Sequence, residues 1–116
     1  MSRIARTLAA GALISTLAAC VVTPPSRPAA GPSPREVGAE RLHQVDGRID
    51  NLMHRVDTRV NQGYYAQPQG AALHHRLDEI RNEAHDMAGQ HGGAISPDEQ
   101  RVLNQELDTT ARAIGE

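Results

Sequence analysis

Aromatic residues and lysine are nearly or wholly missing from this sequence of 116 residues. It has no Trp, no Phe and no Lys, and its only aromatic residues are Tyr64 and Tyr65. The chain therefore lacks a stacking platform for bases or sugars. Its twelve Arg stand against fourteen Asp and Glu, a formal charge of −2. Because nucleic acid selects for a basic face, we expect no nucleic-acid partner.

Cysteine occurs once, at Cys20, which excludes a disulfide within the chain. Ahead of it, Arg3 and Arg6 precede an apolar run over residues 7–17. This layout is typical of a secretory signal peptide, and the run is too short to span a bilayer. We therefore predict a signal peptide over residues 1–19. Two alternatives stay open: a signal peptide cut elsewhere, or a buried helix beside an incidental thiol.

The run Leu17-Ala18-Ala19-Cys20 resembles the lipobox of bacterial lipoproteins, in which a Leu and two small residues precede the cysteine. The resemblance implies cleavage after Ala19, diacylation of the Cys20 sulfur and acylation of its new amine. The covalent lipid on Cys20 would then be the only cofactor, and several acyl chains anchor a protein firmly to a membrane. In such lipoproteins Asp after the cysteine favours the inner membrane. Because Val21 stands there, the resemblance implies an outer-membrane anchor. We expect the domain to face the periplasm, with exposure at the cell surface as the open alternative.

Five of the seven prolines follow shortly after the cysteine, at Pro24, Pro25, Pro28, Pro32 and Pro34. Such a composition favours extended backbone without paired elements. We predict a lipidated cysteine and a disordered proline-rich tether over residues 20–34. At about 3.1 Å per residue, it would hold the rest of the chain on the order of 40 Å from the lipid.

Two similar runs mark helix starts, Ser33-Pro34-Arg35-Glu36 and Ser96-Pro97-Asp98-Glu99. Each has a capping Ser, a Pro at the first helical position and a Glu three residues after the Ser. Apolar residues then recur at spacings of three and four, as on one face of a helix. With glycine-rich turns between them, we predict helices at about 35–61, 71–88 and 97–114. The fold class is all-α, a three-helix hairpin or bundle in a helical domain over residues 35–116.

The predicted first helix has apolar residues at nearly heptad spacing: Leu42, Val45, Ile49, Leu52 and Val56. This stripe either faces the other two helices or binds a second copy or another protein. Both interpretations stay open on the sequence alone.

The residues from Ala88 to Glu99 resemble the calcium loop of EF-hand-like bacterial proteins. Gly93, Ile95 and Glu99 occupy the sixth, eighth and twelfth places of that loop. Ala88, Gln90 and Gly92 replace the acidic residues of its first, third and fifth places, so the carboxylate cage is missing. We expect Glu99 to act as the capping partner of Ser96 instead.

The helical organisation also resembles that of small exported proteobacterial proteins of unknown role. An Arg-Ile/Val-Asp-Gln-Gly run closes their first helix, and Arg59-Val60-Asn61-Gln62-Gly63 is similar to it. This resemblance implies a fold and a setting but no activity.

Six histidines are the remaining chemical signal. Asp50, His54 and Asp57 share one helical face, while His74 with Asp78 and His75 with Glu79 are four apart. Nitrogen and oxygen ligands in such spacing suit zinc or copper. We therefore consider a metal site formed from Asp50, His54, Asp57, His74 and His75. Proton sensing by imidazoles, whose ordinary pKa is about 6.5, is a second possibility.

Catalytic motifs are missing from the sequence, which has no nucleophile elbow, phosphate-binding loop or His-Glu-x-x-His pair. We therefore expect no enzyme, no catalytic residue and no small-molecule substrate. The sequence predicts a membrane-anchored lipoprotein with a structural or adaptor role in the cell envelope. The alternative is a histidine-rich periplasmic module that binds metal or responds to pH.

Overall fold

The computed structural model describes residues 31–115, which form three helices. They are α1 (Pro34–Asn61), α2 (Gln67–Gln90) and α3 (Pro97–Ile114). The predicted all-α class and three-helix bundle are confirmed. The predicted signal peptide, the cleavage position Ala19, the lipidated Cys20 and most of the tether lie outside the described residues.

Both predicted capping arrangements are present. The Ser33 hydroxyl accepts from the Glu36 N–H at 3.2 Å, and Glu36 Oε2 accepts from the Ser33 N–H. Ser96 and Glu99 form the same reciprocal pair, at 3.1 Å in each direction. These bonds satisfy amide groups that the first turn of a helix leaves unpaired, so α1 and α3 begin where their local sequence predicts.

Helix α2 begins at Gln67, four residues before the predicted start at about residue 71. The sequence prediction treated Pro68 and Gly70 as parts of a turn, but Pro68 lies in the first helical turn, where proline is tolerated. Gly70 lies within the helix because α1 comes close there: a Cβ on Gly70 would lie 2.5 Å from Val60 Cγ2. Close packing of two helices, rather than a turn, explains this glycine.

Side-chain contacts show the course of the helices. Arg81 of α2 pairs with Asp50 of α1. His74, earlier in α2, pairs with Asp57, later in α1, so these two helices are antiparallel. Gln44 contacts Gln100, whereas Arg59 near the end of α1 donates to the Gly115 carbonyl at 2.8 Å. Helix α3 therefore runs parallel to α1. The bundle has an up-down-up course with the core along its axis.

The core contains aliphatic residues from all three helices and from the loop before α3. Its fully buried large side chains are Val45, Ile49, Val56, Leu77, Ile80, Ile95, Leu103 and Leu107. The α1 stripe thus packs against α2 and α3 inside one chain. Among the described residues, the only exposed large hydrophobic side chains are those of Tyr64 and Val102. None of the three described helices is long and apolar enough to span a membrane.

The loop before α3 packs on the start of α1. The Ile95 N–H donates to the Gly38 carbonyl at 3.1 Å, and a Cβ on Gly38 would lie 2.6 Å from Ala94 Cβ. Arg35 donates to the Gly92 carbonyl at 2.9 Å. This end of the bundle therefore holds the α1 N-terminus and the loop together, and the α1–α2 turn lies at the opposite end.

Candidate functional site

Acidic side chains of α1 face basic side chains of α2 along one edge of the bundle. We call this row the seam and define it by six residues: Asp46, Asp50, Asp57, His74, Arg81 and His85. The acidic members lie four and seven residues apart beside the α1 apolar stripe, which places them on one edge of that helix. The seam therefore results from the same helical period that builds the core.

At the end of the seam nearer the α1 N-terminus, His85 Nε2 lies 2.9 and 3.0 Å from the two carboxylate oxygens of Asp46. Arg81 Nε approaches Asp46 at 3.7 Å, and the Arg81 guanidinium also bonds Asp50. A permanent positive charge thus lies between two carboxylates here. These contacts tie α1 to α2 and give both carboxylates the same cationic partner.

Towards the other end, His74 Nε2 lies 2.7 Å from Asp57 Oδ1. The Asp57 side chain is 62% exposed and the His74 side chain 32% exposed, so both remain accessible to solvent. This pair forms part of an open cavity of about 640 Å³, which we call the groove. Its polar lining side chains are Asp57, Asn61, Gln67, His74, His75 and Asp78.

Small residues of α2 create the groove. Gly70 and Ala71 form part of its lining together with Val60 of α1. Because Gly70 has no side chain, α2 comes close to α1 at Val60, while the longer polar side chains stand around the opening. The groove is therefore a depression of mixed polar and apolar lining at the end of the bundle that carries the α1–α2 turn.

The structure brings together only some of the predicted metal ligands. Asp57 and His74 contact each other, but Asp50 pairs with Arg81, and His54 is exposed elsewhere on α1. His75 lines the groove, with its Nδ1 3.5 Å from Glu79 Oε1. Within residues 31–115, no three His, Cys, Asp or Glu side chains are gathered as a bound metal ion would require.

The sequence prediction missed Asp46, Arg81 and His85 as members of the seam. One signal for the α1 side was available, since Asp46 precedes Asp50 by four residues on the same helical face. Their partners on α2 could not be deduced, because that requires the relative positions of the two helices.

In the loop that resembles a calcium loop, the oxygens of Glu99 and Gly92 accept hydrogen bonds from groups of the same chain. Glu99 Oε1 accepts from the Ser96 N–H at 3.1 Å and lies 3.3 Å from His91 Nε2. Hydrogen bonds with the Ser96 side chain and then its backbone lower the pKa of Glu99. The Gly92 carbonyl accepts from Arg35. Glu99 therefore acts as a helix cap in this structure.

Two carboxyl groups, those of Glu83 and Glu106, lie close together between α2 and α3. Burial, and then the neighbouring Glu106 carboxylate, raise the pKa of Glu83. Arg76 donates to Glu106 at 2.9 Å and partly offsets this repulsion. The arrangement brings Glu83 of α2 next to Glu106 of α3.

Comparison with known proteins adds no relative. No protein-family model, no curated protein and no solved structure matches this chain.

Proposed function

We propose that this chain is a membrane-anchored lipoprotein whose three-helix bundle acts as a structural or adaptor module in the cell envelope. The observation that carries the proposal is the order of features along the chain. A lipobox-like run ending in Cys20 is followed by a proline-rich stretch and then by a capped helix that begins at Pro34. An anchor, a spacer and a folded module follow one another in that order.

The geometry of the bundle supports an adaptor role. Helix α1 has 28 residues, and at 1.5 Å per residue it is about 40 Å long. The chain from Cys20 enters at one end of α1, whereas the groove lies by the α1–α2 turn at the other end. An anchored bundle would thus present the groove on the side farther from its attachment.

The surface of the bundle favours polar recognition. The α1 stripe, proposed from sequence as a route to self-association or to another protein, is buried within the chain. Partner binding through that stripe would require the bundle to open. We therefore place a partner contact on the seam and the groove, where charged side chains are accessible.

Lipid attachment to Cys20 is the point to test. We expect the whole chain, expressed in a Gram-negative host, to incorporate an alkyne-labelled fatty acid and to sediment with the outer membrane. Cys20→Ala should abolish the label and leave an uncleaved precursor, because acylation of that sulfur precedes cleavage. Ser26→Ala in the predicted tether is the matched control and should label normally. Equal labelling and sedimentation of Cys20→Ala would overturn the proposal.

A histidine-based module is the second candidate function. The observation that favours it is the seam, where His74 and His85 each bond a carboxylate of the facing helix. Of its two forms, metal binding has the more specific geometric support, because His74 also borders the groove. Calorimetric titration of zinc into the chain tests it, and the absence of saturable heat would contradict it.

A further inference from the structure

The groove is lined by imidazole and carboxylate side chains from two helices. We propose that Asp57, His74 and Asp78 form a binding site for one divalent transition-metal ion of the zinc type. This inference rests on the second candidate function alone and does not depend on lipid attachment at Cys20.

Asp57 and His74 already present their ligand atoms to each other. Asp57 Oδ1 lies 2.7 Å from His74 Nε2, in a contact that joins α1 to α2. With bonds of about 2.0–2.1 Å, a tetrahedral zinc ion separates two of its ligand atoms by about 3.3 Å. If the distance between Asp57 Oδ1 and His74 Nε2 increased by about half an ångström, the ion could replace the proton between these two atoms. The exposure of both side chains permits this movement.

Asp78 supplies the third ligand. It follows His74 by four residues, so the two side chains lie one turn apart on the same face of α2, with their Cβ atoms about 6 Å apart. Asp78 is exposed and lines the same groove. The proposed site requires a change of rotamer at Asp78 that would bring its carboxylate towards His74. In the structure only Asp57 and His74 are in contact. No three His, Cys, Asp or Glu side chains of residues 31–115 are gathered around one point, so binding would have to bring Asp78 to the other two.

The ligand set indicates the class of ion. One imidazole nitrogen and two carboxylate oxygens suit zinc and its neighbours, whereas calcium and magnesium prefer ligands that are all oxygen. Two carboxylates also neutralise a dication. The remaining coordination position faces the open groove, where water can occupy it.

The other seam histidine provides an internal comparison. His85 also bonds an α1 carboxylate, that of Asp46. However, Gly89 occupies the position four residues after His85, and Arg81 lies 3.7 Å from Asp46. Asp50, one turn from Asp46 on α1, is paired with the same Arg81, so neither carboxylate near His85 is free of a permanent positive neighbour. We therefore assign the metal site to His74 and not to His85.

The test uses the whole chain carrying Cys20→Ser in a neutral detergent, because a free thiol would itself bind zinc. Zinc is titrated by calorimetry, and the histidine ring signals are followed by NMR. We expect saturable binding of one zinc ion per chain and a shift of the His74 ring signals. Calcium at the same concentrations should not displace the zinc.

Substitutions distinguish zinc binding at this site from zinc binding by scattered surface histidines. His74→Gln, Asp57→Asn and Asp78→Asn should each weaken zinc binding at least about tenfold. His85→Gln and His75→Gln should leave the affinity within about twofold. Circular dichroism of each variant confirms that the bundle is folded.

Three outcomes would overturn the site: no saturable heat in the parent chain, unchanged affinity in His74→Gln, or equal losses in His74→Gln and His85→Gln. Displacement by calcium would overturn the class of ion. Because the parent chain lacks Cys20, none of these results bears on the anchoring proposal, which the labelling experiment tests separately.

Discussion

Gly38 and Gly47 lie in the same helix, but they have different surroundings. A Cβ on Gly38 would meet Ala94 Cβ at 2.6 Å and the Ile95 carbonyl oxygen at 3.1 Å, whereas a Cβ on Gly47 would meet nothing within 4 Å. From sequence both glycines appear only as weak points of a helix. The structure shows that Gly38 allows the loop before α3 to pack on α1, while Gly47 has no such role.

We expect Gly38→Ala to destabilise the bundle by about 1–2 kcal/mol, because the added methyl group overpacks a contact with the loop. Gly47→Ala is the matched control, and it should stabilise the fold by about 0.5–1 kcal/mol through better helix propensity. Urea unfolding followed by circular dichroism measures both free energies. Equal effects of the two substitutions would contradict the proposed role of Gly38.

Helices α1 and α3 begin at capping boxes, whereas the N-cap residue of α2 is Ala66, which provides no side-chain cap. The two capped starts were predictable because a cap depends only on residues three positions apart. The start of α2 was not, since proline and glycine in its first turn resemble a loop. Packing against Val60 keeps that turn helical and outweighs the local preference.

At the start of α3, Ser96→Ala should destabilise the protein by about 1 kcal/mol, because it removes the hydroxyl that caps the helix. Thr109→Ala, at an exposed position of the same helix, is the control and should change the free energy of unfolding by less than about 0.5 kcal/mol. Thermal unfolding at neutral pH compares them. A loss at Ser96 no larger than at Thr109 would show that the cap is unimportant.

The same caps give the bundle a dependence on acid. The pKa values of Glu36 and Glu99 are lowered in the folded state by hydrogen bonds with Ser33 and Ser96, so each unfolded carboxyl binds protons more readily. Their stabilisation is fully present above the ordinary pKa of 4.5 and is lost as the pH falls through the lowered values. We expect the cost of Ser96→Ala to shrink below pH 4.5 in urea titrations at several pH values. A cost independent of pH would contradict this coupling.

Over the whole molecule, the apolar faces of the three helices are directed at one another. The α1 stripe is almost completely buried within the chain, and few large apolar groups remain on the described surface. Polar contacts surround this core, both in the seam and between α1 and α3, where Arg48 donates to Asn104 Oδ1 at 2.9 Å. Within residues 31–115, the chain thus buries most of its large apolar side chains by its own packing.

We therefore expect the chain from residue 20, with Cys20→Ser to prevent thiol oxidation, to sediment as a monomer. Its sedimentation coefficient should be independent of concentration, because the near-heptad stripe is unavailable to a second copy. Analytical ultracentrifugation over a hundredfold range of concentration is the measurement. A dimer whose formation is abolished by Ile49→Ala would show that the stripe leaves the bundle core.

The sequence by itself determined the all-α class, the number of helices and the beginnings of α1 and α3. These features depend on hydrophobic period and on contacts between residues three or four apart, which any reader of the chain can evaluate. Only the tertiary structure decided the early start of α2, the role of Gly38 and the partners of His74 and His85. Each of these features depends on which residues of different helices contact one another. The period of a single helix does not determine those contacts, because they are fixed only when the helices pack together.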